Sequence, residues 1–273
     1  MKKRILDNKI AVVAGAFRAP FLVAADLRRQ GFDVFVVGIK NFCDPALKPD
    51  MWARIGQAGS VIKEFRRRGI KNITMTGALG HPNMLDIRPD FSSILMFARI
   101  MKNQKGYNSM LSALAAEIER IGLNVLAPQD LCPSMTFETA GVQTRAKPKK
   151  DDLADIKRGI DVSKVIGKMD IGHSVAVYRQ VLAMEAAEGT AKMLERVIEL
   201  RRGYKKRGGV LVKMVKPNQD LRIDTTAIGP DTVDAVYAAK MNGIVVDAKH
   251  CIVIDKDKVL AAANKRGIFI LAK

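Results

Sequence analysis

Apolar residues recur along this chain in two patterns, as short β-branched runs and as longer stretches with a helical period. In the first half these patterns predict strands at 10–14, 32–39, 73–75 and 125–127, and helices at 21–30, 61–68, 91–101 and 107–121. Strands separated by helices are typical of βαβ units and a largely parallel sheet. We therefore predict an N-terminal Rossmann-like α/β domain over residues 1–140.

The second half continues the alternation after a basic segment. Residues 141–152 contain Pro148 and several lysines and have no apolar period, which predicts a linker. Helices are then predicted from Asp151 onward and at 191–200, 231–241 and 256–265, with strands at 175–178, 210–215, 244–246, 251–254 and 268–271. The predicted fold class is therefore α/β with two domains, the second a mixed α/β catalytic domain over residues 153–273. We expect the active site in the cleft between the domains.

Composition narrows the class of protein. The chain has 273 residues, of which 48% are hydrophobic and 27% charged, as in soluble globular proteins. No apolar run approaches the roughly 20 residues that span a bilayer, and the basic start lacks the apolar segment of a secretory signal. The three cysteines are far apart in sequence and predict no metal or redox pair, which favours the reducing cytoplasm.

The net charge of +18 indicates a polyanionic partner. Nucleic acid, phosphorylated small molecules and an anionic membrane surface all fit this charge. Aromatic residues make up only 5% of the chain, and no nucleic-acid-binding motif accompanies the charge, so we expect no nucleic-acid partner. The densest basic run, 201–207, is interpreted either as a solvated loop or as a contact for lipid headgroups.

Two short segments combine carboxylates, lysines and a glycine turn. Such groups suit a divalent cation held against phosphate, because oxygen ligands bind Mg²⁺ while lysines and backbone N–H groups neutralise phosphate oxygens. The candidate metal ligands are Glu185, Glu188, Asp220 and Asp224. The candidate substrate contacts in these segments are Gly189, Thr190, Lys216, Gln219 and Arg222, and Lys213 is a candidate catalytic residue.

Each candidate also has a purely structural interpretation. Asp224 can bind a cation or orient water, or it can cap a turn through the threonines that follow it. Glu188 can reach a metal above a helix N-terminus, or Thr190 can simply cap a helix that begins at Ala191. Lys213 and Lys216 can point into a cleft or remain ordinary surface lysines.

Two glycine loops in the first half are further candidates for substrate binding. Gly15 and Gly77 each follow a predicted strand, so both loops should lie at the carboxyl edge of the parallel sheet, where ligands bind in such folds. His81 lies in the second loop and is a weaker candidate.

Several of these segments together resemble a known family, the metal-dependent UDP-2,3-diacylglucosamine pyrophosphatases of lipid A synthesis, which are unrelated to the calcineurin-like phosphoesterases. The resemblance is closest at residues 169–177, 181–190, 213–229 and 267–271 and looser at 12–20 and 75–82. Two departures stand out: His81 replaces a usual arginine, and Ala191 replaces a usual aspartate.

The resemblance implies a reaction and roles for the candidate residues. It implies hydrolysis of UDP-2,3-diacylglucosamine to 2,3-diacylglucosamine 1-phosphate and UMP, with Mg²⁺ or Mn²⁺ as cofactor. Asp224 would hold the metal, Glu188 would support it, and Lys213 would stabilise the developing charge. A cytoplasmic location at the inner face of the inner membrane and a possible homodimer are further expectations. A nucleotide-sugar transferase and a non-catalytic phospholipid-binding protein remain the alternatives.

Overall fold

A computed structural model of the chain describes residues 5–79, 90–101 and 107–273. Its internal contacts divide the chain into two units. The first unit comprises residues up to Cys132 together with Asp220–Asp224, and the second comprises Pro133–Gln219 and Thr225–Lys273. The sequence placed the division later, at residues 141–152, because this basic segment lacks an apolar period. In the structure these residues contribute a strand and a helix start to the second unit.

The first unit is built on a five-stranded parallel sheet. Its strands are β1 (Lys9–Ala14), β2 (Asp33–Ile39), β3 (Met51–Ala53), β4 (Asn72–Thr76) and β5 (Asn124–Val125). They are arranged in the order β3-β2-β1-β4-β5, and every pair is parallel. The prediction of a parallel sheet is confirmed, whereas its assignment as Rossmann-like stays a prediction. β1 is almost continuously apolar because both faces of a parallel sheet are covered.

Helices cover both faces of this sheet. They are α1 (Ala19–Arg29), α2 (Ala58–Arg68), α3 (Phe91–Met101), α4 (Tyr107–Arg120) and the short α5 (Pro128–Leu131), with a 3₁₀ turn at Pro45–Leu47. Ala24 of α1 packs on one face, while Phe65 of α2 and Ile118 of α4 pack on the other. α3 and α4 are joined by Glu117, whose carboxylate accepts hydrogen bonds from Arg120 and Arg99. These bonds, led by that of Arg120, lower the pKa of Glu117 to about 2.

The second unit contains a six-stranded mixed sheet. Its strands are β6 (Gly141–Val142), β7 (Ser174–Tyr178), β8 (Gln180–Met184), β9 (Val210–Lys213), β11 (Gly243–Val246) and β13 (Phe269–Ala272). The order is β6-β13-β11-β9-β7-β8, in which β9, β11 and β13 are mutually parallel and the other pairs are antiparallel. A separate parallel pair joins β10 (Ala227–Ile228) to β12 (Ile252–Val253). The predicted mixed α/β character is confirmed.

Four helices pack on the mixed sheet. They are α6 (Lys150–Lys168), α7 (Gly189–Leu200), α8 (Pro230–Ala238) and α9 (Lys256–Arg266), preceded by a 3₁₀ turn at Pro133–Met135. Side chains of α7, α8 and α9 form the core on one face, and α6 covers the other. Acidic residues were expected in the first turn of α6, where the helix dipole favours them. Asp152 lies in this turn, and its Oδ2 accepts a hydrogen bond from the Lys149 N–H at 2.9 Å.

Candidate active site

A lysine, a threonine and a glutamate form a chain of hydrogen bonds at the carboxyl end of β9. Lys213 ends this strand, Thr190 lies in the first turn of α7, and Glu185 directly follows β8. Lys213 Nζ donates to Thr190 Oγ1 at 2.9 Å, and Thr190 Oγ1 donates to Glu185 Oε1 at 3.0 Å. Only 9% of Lys213 and 6% of Glu185 is exposed. Both charges are therefore held largely out of water, where electrostatic interactions are stronger.

Ser174 adds a second hydroxyl to this group. Its hydroxyl is fully buried and lies 3.0 Å from Thr190 Oγ1. The pairing of β7 with β9 sets this arrangement, because it places Ser174 directly opposite Lys213.

His173 lies on the other side of the Glu185 carboxylate. Its Nε2 is 3.5 Å from Glu185 Oε2. Burial and then the charge of Lys213 lower the pKa of His173 to about 4, so its imidazole is neutral at pH 7. Burial raises the pKa of Glu185, but His173, Lys213 and the two hydroxyls outweigh burial and hold the pKa below its ordinary value. Glu185 is thus a buried carboxylate that stays ionised.

Glu185 also has an oxygen that can accept a further bond. Its Oε2 is buried and has no hydrogen-bond partner within the described ranges. Buried polar atoms are nearly always paired, so this oxygen can accept one more hydrogen bond.

A second buried lysine lies beside this network. Lys216 is 8% exposed, and its Nζ donates to Asp170 Oδ1 at 2.8 Å. The backbone N–H of Lys216 donates to Gln219 Oε1 at 2.9 Å, and Gln219 N–H donates back to the Lys216 carbonyl at 3.1 Å. Gln219, predicted as a substrate contact, therefore closes the turn that follows Lys216.

Gly172 brings the two carboxylate segments together. A Cβ atom at this position would lie 2.2 Å from the carbonyl oxygen of Glu185. Since that distance is far below van der Waals contact and the neighbour is backbone, only glycine fits. The loop of Asp170 and His173 is thereby held against the end of β8.

The predicted aspartates of the second segment belong to the first unit. Asp220 accepts two hydrogen bonds from Arg222, from Nε at 2.8 Å and from Nη2 at 2.5 Å. Arg222 Nη1 also donates to Glu119 Oε1 at 2.8 Å. Asp224 is half-buried, and its backbone N–H donates to the Asp220 carbonyl at 2.9 Å. Gln129 Nε2 donates to the Leu221 carbonyl and ties this segment to the first unit.

Glu188 occupies the start of α7, as predicted, but with a different set of bonds. Its carboxylate accepts from Arg196 Nη2 at 2.5 Å and from the Ala186 N–H at 3.2 Å. The Gly189 N–H donates to the Ala186 carbonyl at 3.2 Å. The alternative that Thr190 caps the helix is wrong, because α7 begins at Gly189 and the Thr190 hydroxyl is bonded within the lysine–glutamate chain.

The two glycine loops of the first unit contact one another. Gly15 N–H donates to the Thr76 carbonyl at 2.9 Å, and Ala16 pairs with Ala78 in an isolated β-bridge. A Cβ at Gly15 would lie 2.6 Å from the Ala78 carbonyl oxygen, and one at Gly77 would lie 2.5 Å from the Ala16 carbonyl oxygen. Both loops follow strand ends of the parallel sheet, as expected. His81 lies outside the described residues.

The basic run 201–207 is only partly available to a partner. Arg201 is 1% exposed, stacks on Tyr178 and Tyr204, and donates to the Gly208 carbonyl at 2.6 Å. Arg207 donates to backbone carbonyls that precede β11 and end α9. The interpretation as a solvated loop or headgroup contact is therefore wrong for the buried Arg201 and stays a prediction for the rest of the run.

The four predicted metal ligands differ in how well they suit a cation. Asp220 and Glu188 already form short ion pairs with arginines, so in this arrangement they suit a cation poorly. Glu185 has one buried oxygen without a hydrogen bond among the described residues, and a carboxylate oxygen is a ligand that Mg²⁺ prefers. Within residues 5–79, 90–101 and 107–273, no three His, Cys, Asp or Glu side chains are grouped to hold a metal.

Sequence reasoning did not select Asp170, His173 or Ser174 as site residues. All three lie in the segment 169–177, which carried part of the family resemblance. Its sequence shows no metal-ligand spacing, and the importance of Ser174 depends on a partner 16 residues away. The family resemblance of residues 169–177 was therefore the signal that could have led to these three residues.

In the described part of the chain, no helix combines the length and apolar character needed to cross a bilayer. The chain matches two family models in succession, the LpxI N-terminal domain over residues 9–135 and the LpxI C-terminal domain over residues 139–271. It is also 31% identical over 272 residues to the UDP-2,3-diacylglucosamine pyrophosphatase LpxI of Caulobacter vibrioides. That alignment covers 97% of each chain.

Proposed function

Because the chain belongs to the LpxI family, we propose that it hydrolyses UDP-2,3-diacylglucosamine at its diphosphate, a step of lipid A biosynthesis. The products are 2,3-diacylglucosamine 1-phosphate and UMP. The observation that carries the proposal is an identity of 31% that extends over 97% of both chains. The buried lysine–threonine–glutamate chain supports it, since the Lys213 ammonium that it holds in place suits a diphosphate.

In this proposal Lys213 stabilises the negative charge that develops in the reaction. Water adds to one phosphorus, and the bridging oxygen leaves with the other, so charge grows on the bridging and non-bridging oxygens. One of the three N–H groups of the Lys213 ammonium donates to Thr190. The other two N–H groups have no hydrogen-bond partner within residues 5–79, 90–101 and 107–273. A fixed, largely desolvated ammonium stabilises such charge better than one in water.

Glu185 acts as an anchor for Lys213 rather than as a base. A general base works best with a pKa near the working pH, and the pKa of Glu185 lies below its ordinary value. Its charge holds the proton of Thr190, and Thr190 in turn accepts from Lys213. The carboxylate therefore fixes where the ammonium points.

Asp224 remains our choice for holding Mg²⁺ or Mn²⁺. Its carboxylate oxygens suit the hard cation, and the family resemblance implies an aspartate that holds the metal at this position. A bound divalent cation would offset charge on the diphosphate and lower the pKa of attacking water. The location of the active site between the two domains stays a prediction.

The test is release of UMP from UDP-2,3-diacylglucosamine by the purified protein with added Mg²⁺ and no acceptor. We expect Asp224→Ala and Lys213→Met to lower the rate by at least about 100-fold, the size of losing one transition-state contact. Lys157→Met is the matched control, because this lysine is 82% exposed on α6 and pairs with Asp161. Full activity of Asp224→Ala would refute the metal assignment while leaving the reaction intact.

The same assay separates the rival functions. A nucleotide-sugar transferase would release UMP only with an acceptor, and a binding protein would retain the lipid unchanged. Transient contact with an anionic membrane surface, a location at the inner face of the inner membrane and a homodimer remain proposals. Vesicle flotation and light scattering test them.

A further inference from the structure

A surface cavity of the second unit is lined mainly by basic side chains. Its volume is about 510 Å³, and its lining residues are Arg207, Tyr237, Ala262, Lys265 and Arg266. We call it the Tyr237 cavity. Three of these five side chains are cations, and none is a carboxylate. Positive charge concentrated around a concave surface attracts anions.

The Tyr237 cavity belongs to the opposite edge of the mixed sheet from the lysine–threonine–glutamate chain. Arg207 comes three residues before β9, whereas Lys213 ends that strand. Met241, whose carbonyl Arg207 binds, comes two residues before β11. A strand of the length of β9, at about 3.3 Å per residue, separates its two ends by roughly 10 Å. The cavity is therefore a place distinct from the site around Lys213.

Arg207 is held at the cavity by backbone carbonyls rather than by a carboxylate. Its Nε and Nη2 donate to the Met241 carbonyl at 3.2 and 2.8 Å, and its Nη1 donates to the Arg266 carbonyl at 2.7 Å. Carbonyl oxygens carry no net charge, so these partners do not neutralise the guanidinium. A guanidinium has five N–H groups, and two of them remain after these bonds. A fixed guanidinium with free N–H groups suits phosphate oxygens.

Tyr237 brings two guanidinium groups together. The central guanidinium carbon of Arg207 is 5.2 Å from the centre of the Tyr237 ring, and that of Arg266 is 5.5 Å from it. The ring attracts each cation and offsets part of their mutual repulsion. Arg266 also pairs with Asp234. Lys265 is exposed and has no ion pair in the part of the chain that the structure describes.

The end of α9 explains only part of this arrangement. Lys265 and Arg266 lie in the last turn of this helix, where basic side chains interact favourably with the helix dipole. The dipole does not require a third cation at the same cavity, nor two guanidinium groups on one aromatic ring. Three neighbouring cations repel one another, and an anion bound among them offsets that repulsion.

We propose that the Tyr237 cavity binds a phosphate group, either of a soluble phosphate anion or of a phospholipid headgroup. Arg207 and Arg266 donate N–H groups to the phosphate oxygens, and Lys265 adds a third positive charge. The proposal goes beyond the function proposed above and does not depend on it, because Lys213 takes no part in this site.

The test is protection of Lys265 from acetylation by an N-hydroxysuccinimide ester, mapped by mass spectrometry on the full chain. Lys258 is the internal control, because it is also exposed on α9 but does not line the cavity. With a Kd on the order of 5 mM, about 20 mM inorganic phosphate fills roughly four fifths of the sites, so acetylation of Lys265 should slow about fivefold. The rate at Lys258 should not change, and sodium chloride of equal ionic strength should protect neither lysine.

Two variants change the cavity in opposite directions. Arg266→Gln removes one guanidinium and should abolish the protection of Lys265. Asp234→Asn removes the carboxylate that competes for Arg266, so phosphate should protect Lys265 at a concentration about threefold lower, the effect of losing one exposed ion pair. A gain in affinity cannot result from a loss of folding, which keeps the test decisive even if Arg266→Gln unfolds.

Vesicles identify the source of the phosphate group. Protection of Lys265 by phosphatidylglycerol vesicles at a lower phosphate concentration than inorganic phosphate requires would assign the cavity to a lipid headgroup. Protection by inorganic phosphate alone would assign it to a soluble anion.

Three outcomes would overturn the proposal. The first is that neither inorganic phosphate nor the vesicles protect Lys265, and the second is that Lys258 is protected equally, which indicates charge screening alone. The third is that Asp234→Asn leaves the protective concentration unchanged. UMP release is not measured here, so a failure of the proposed function would leave this result unaffected.

Discussion

Lys213 and Glu185 should stabilise one another measurably, although they do not form a direct ion pair. Lys213 Nζ lies 2.9 Å from Thr190 Oγ1, and that atom lies 3.0 Å from Glu185 Oε1, so the two charges are at most about 6 Å apart. At an effective dielectric constant of about 20, Coulomb's law gives an attraction of about 3 kcal/mol at this distance. We predict that Lys213→Met and Glu185→Gln each destabilise the second unit. The double mutant should be about 3 kcal/mol more stable than the sum of the two single-mutant losses would give.

The measurement is a double-mutant cycle by urea unfolding, followed by far-UV circular dichroism. The signal of Trp52 is unsuitable, because this residue lies on β3 of the other unit. The control cycle uses Lys157 and Asp161, which are 82% and 55% exposed at 2.8 Å. It should give a coupling of at most about 0.5 kcal/mol, as exposed helix pairs do. A coupling below that value at the buried pair would refute the view that both charges are held in a poorly solvated site.

Three further perturbations test single features of the fold. Gly172→Ala should destabilise the protein by about 1–3 kcal/mol and displace Glu185, because the new methyl group clashes with the backbone of Glu185. Thermal unfolding measures this loss. Gly203→Ala is the control, because a methyl group there has no atom within 4 Å. Phe17→Gly should raise the unfolding free energy by about 1 kcal/mol, since Phe17 is 73% exposed with a left-handed φ of 71° that glycine adopts without strain; a lower thermal midpoint would contradict this reasoning. The pKa of Glu117 is held at about 2, so its two arginine bonds stabilise the fold above its unfolded pKa near 4.5 and are lost as pH falls through 2. Because these arginines are half-exposed, Glu117→Gln should cost only about 1 kcal/mol at pH 7 and remove that part of the acid sensitivity, as acid titration of unfolding would show.

Most long elements followed from apolar periodicity, and the short ones did not. The predicted strand at 10–14 and helix at 107–121 correspond to β1 and α4 within one residue. β8 was missed because its sequence, Gln180–Met184, was taken as part of the acidic–glycine loop. β3 has three residues, too few to show an alternating pattern. Such short segments form strands because they pair with a neighbouring strand through backbone hydrogen bonds. The local sequence does not show that this neighbouring strand is present.

The candidate site was predictable only in part. Glu185, Thr190 and Lys213 were selected because they lie in segments that combine carboxylates, lysines and a glycine turn, whereas Asp170, which pairs with Lys216, was not. Ser174 was overlooked because a serine has no distinctive pattern, and its role here comes from standing opposite Lys213 across two strands. Sequence can rank charged residues one at a time, whereas a hydrogen-bonded network depends on register between distant segments.

Segment 220–224 shows how far nearness in sequence can mislead. Lys213 and Asp224 are 11 residues apart and were treated as one loop, yet Lys213 belongs to the second unit and Asp224 to the first. The reason is local: Arg222 is bonded to both Asp220 and Glu119, Gln129 holds the Leu221 carbonyl, and Ile223 packs in the core with β1 and β4. Residues 220–224 thus have their own core side chain and their own ion pairs. The first unit stabilises them, because the partners in these contacts belong to it. The acidic residues at its two ends are therefore positioned by the N-terminal fold, whereas the lysines just before it are positioned by the C-terminal sheet.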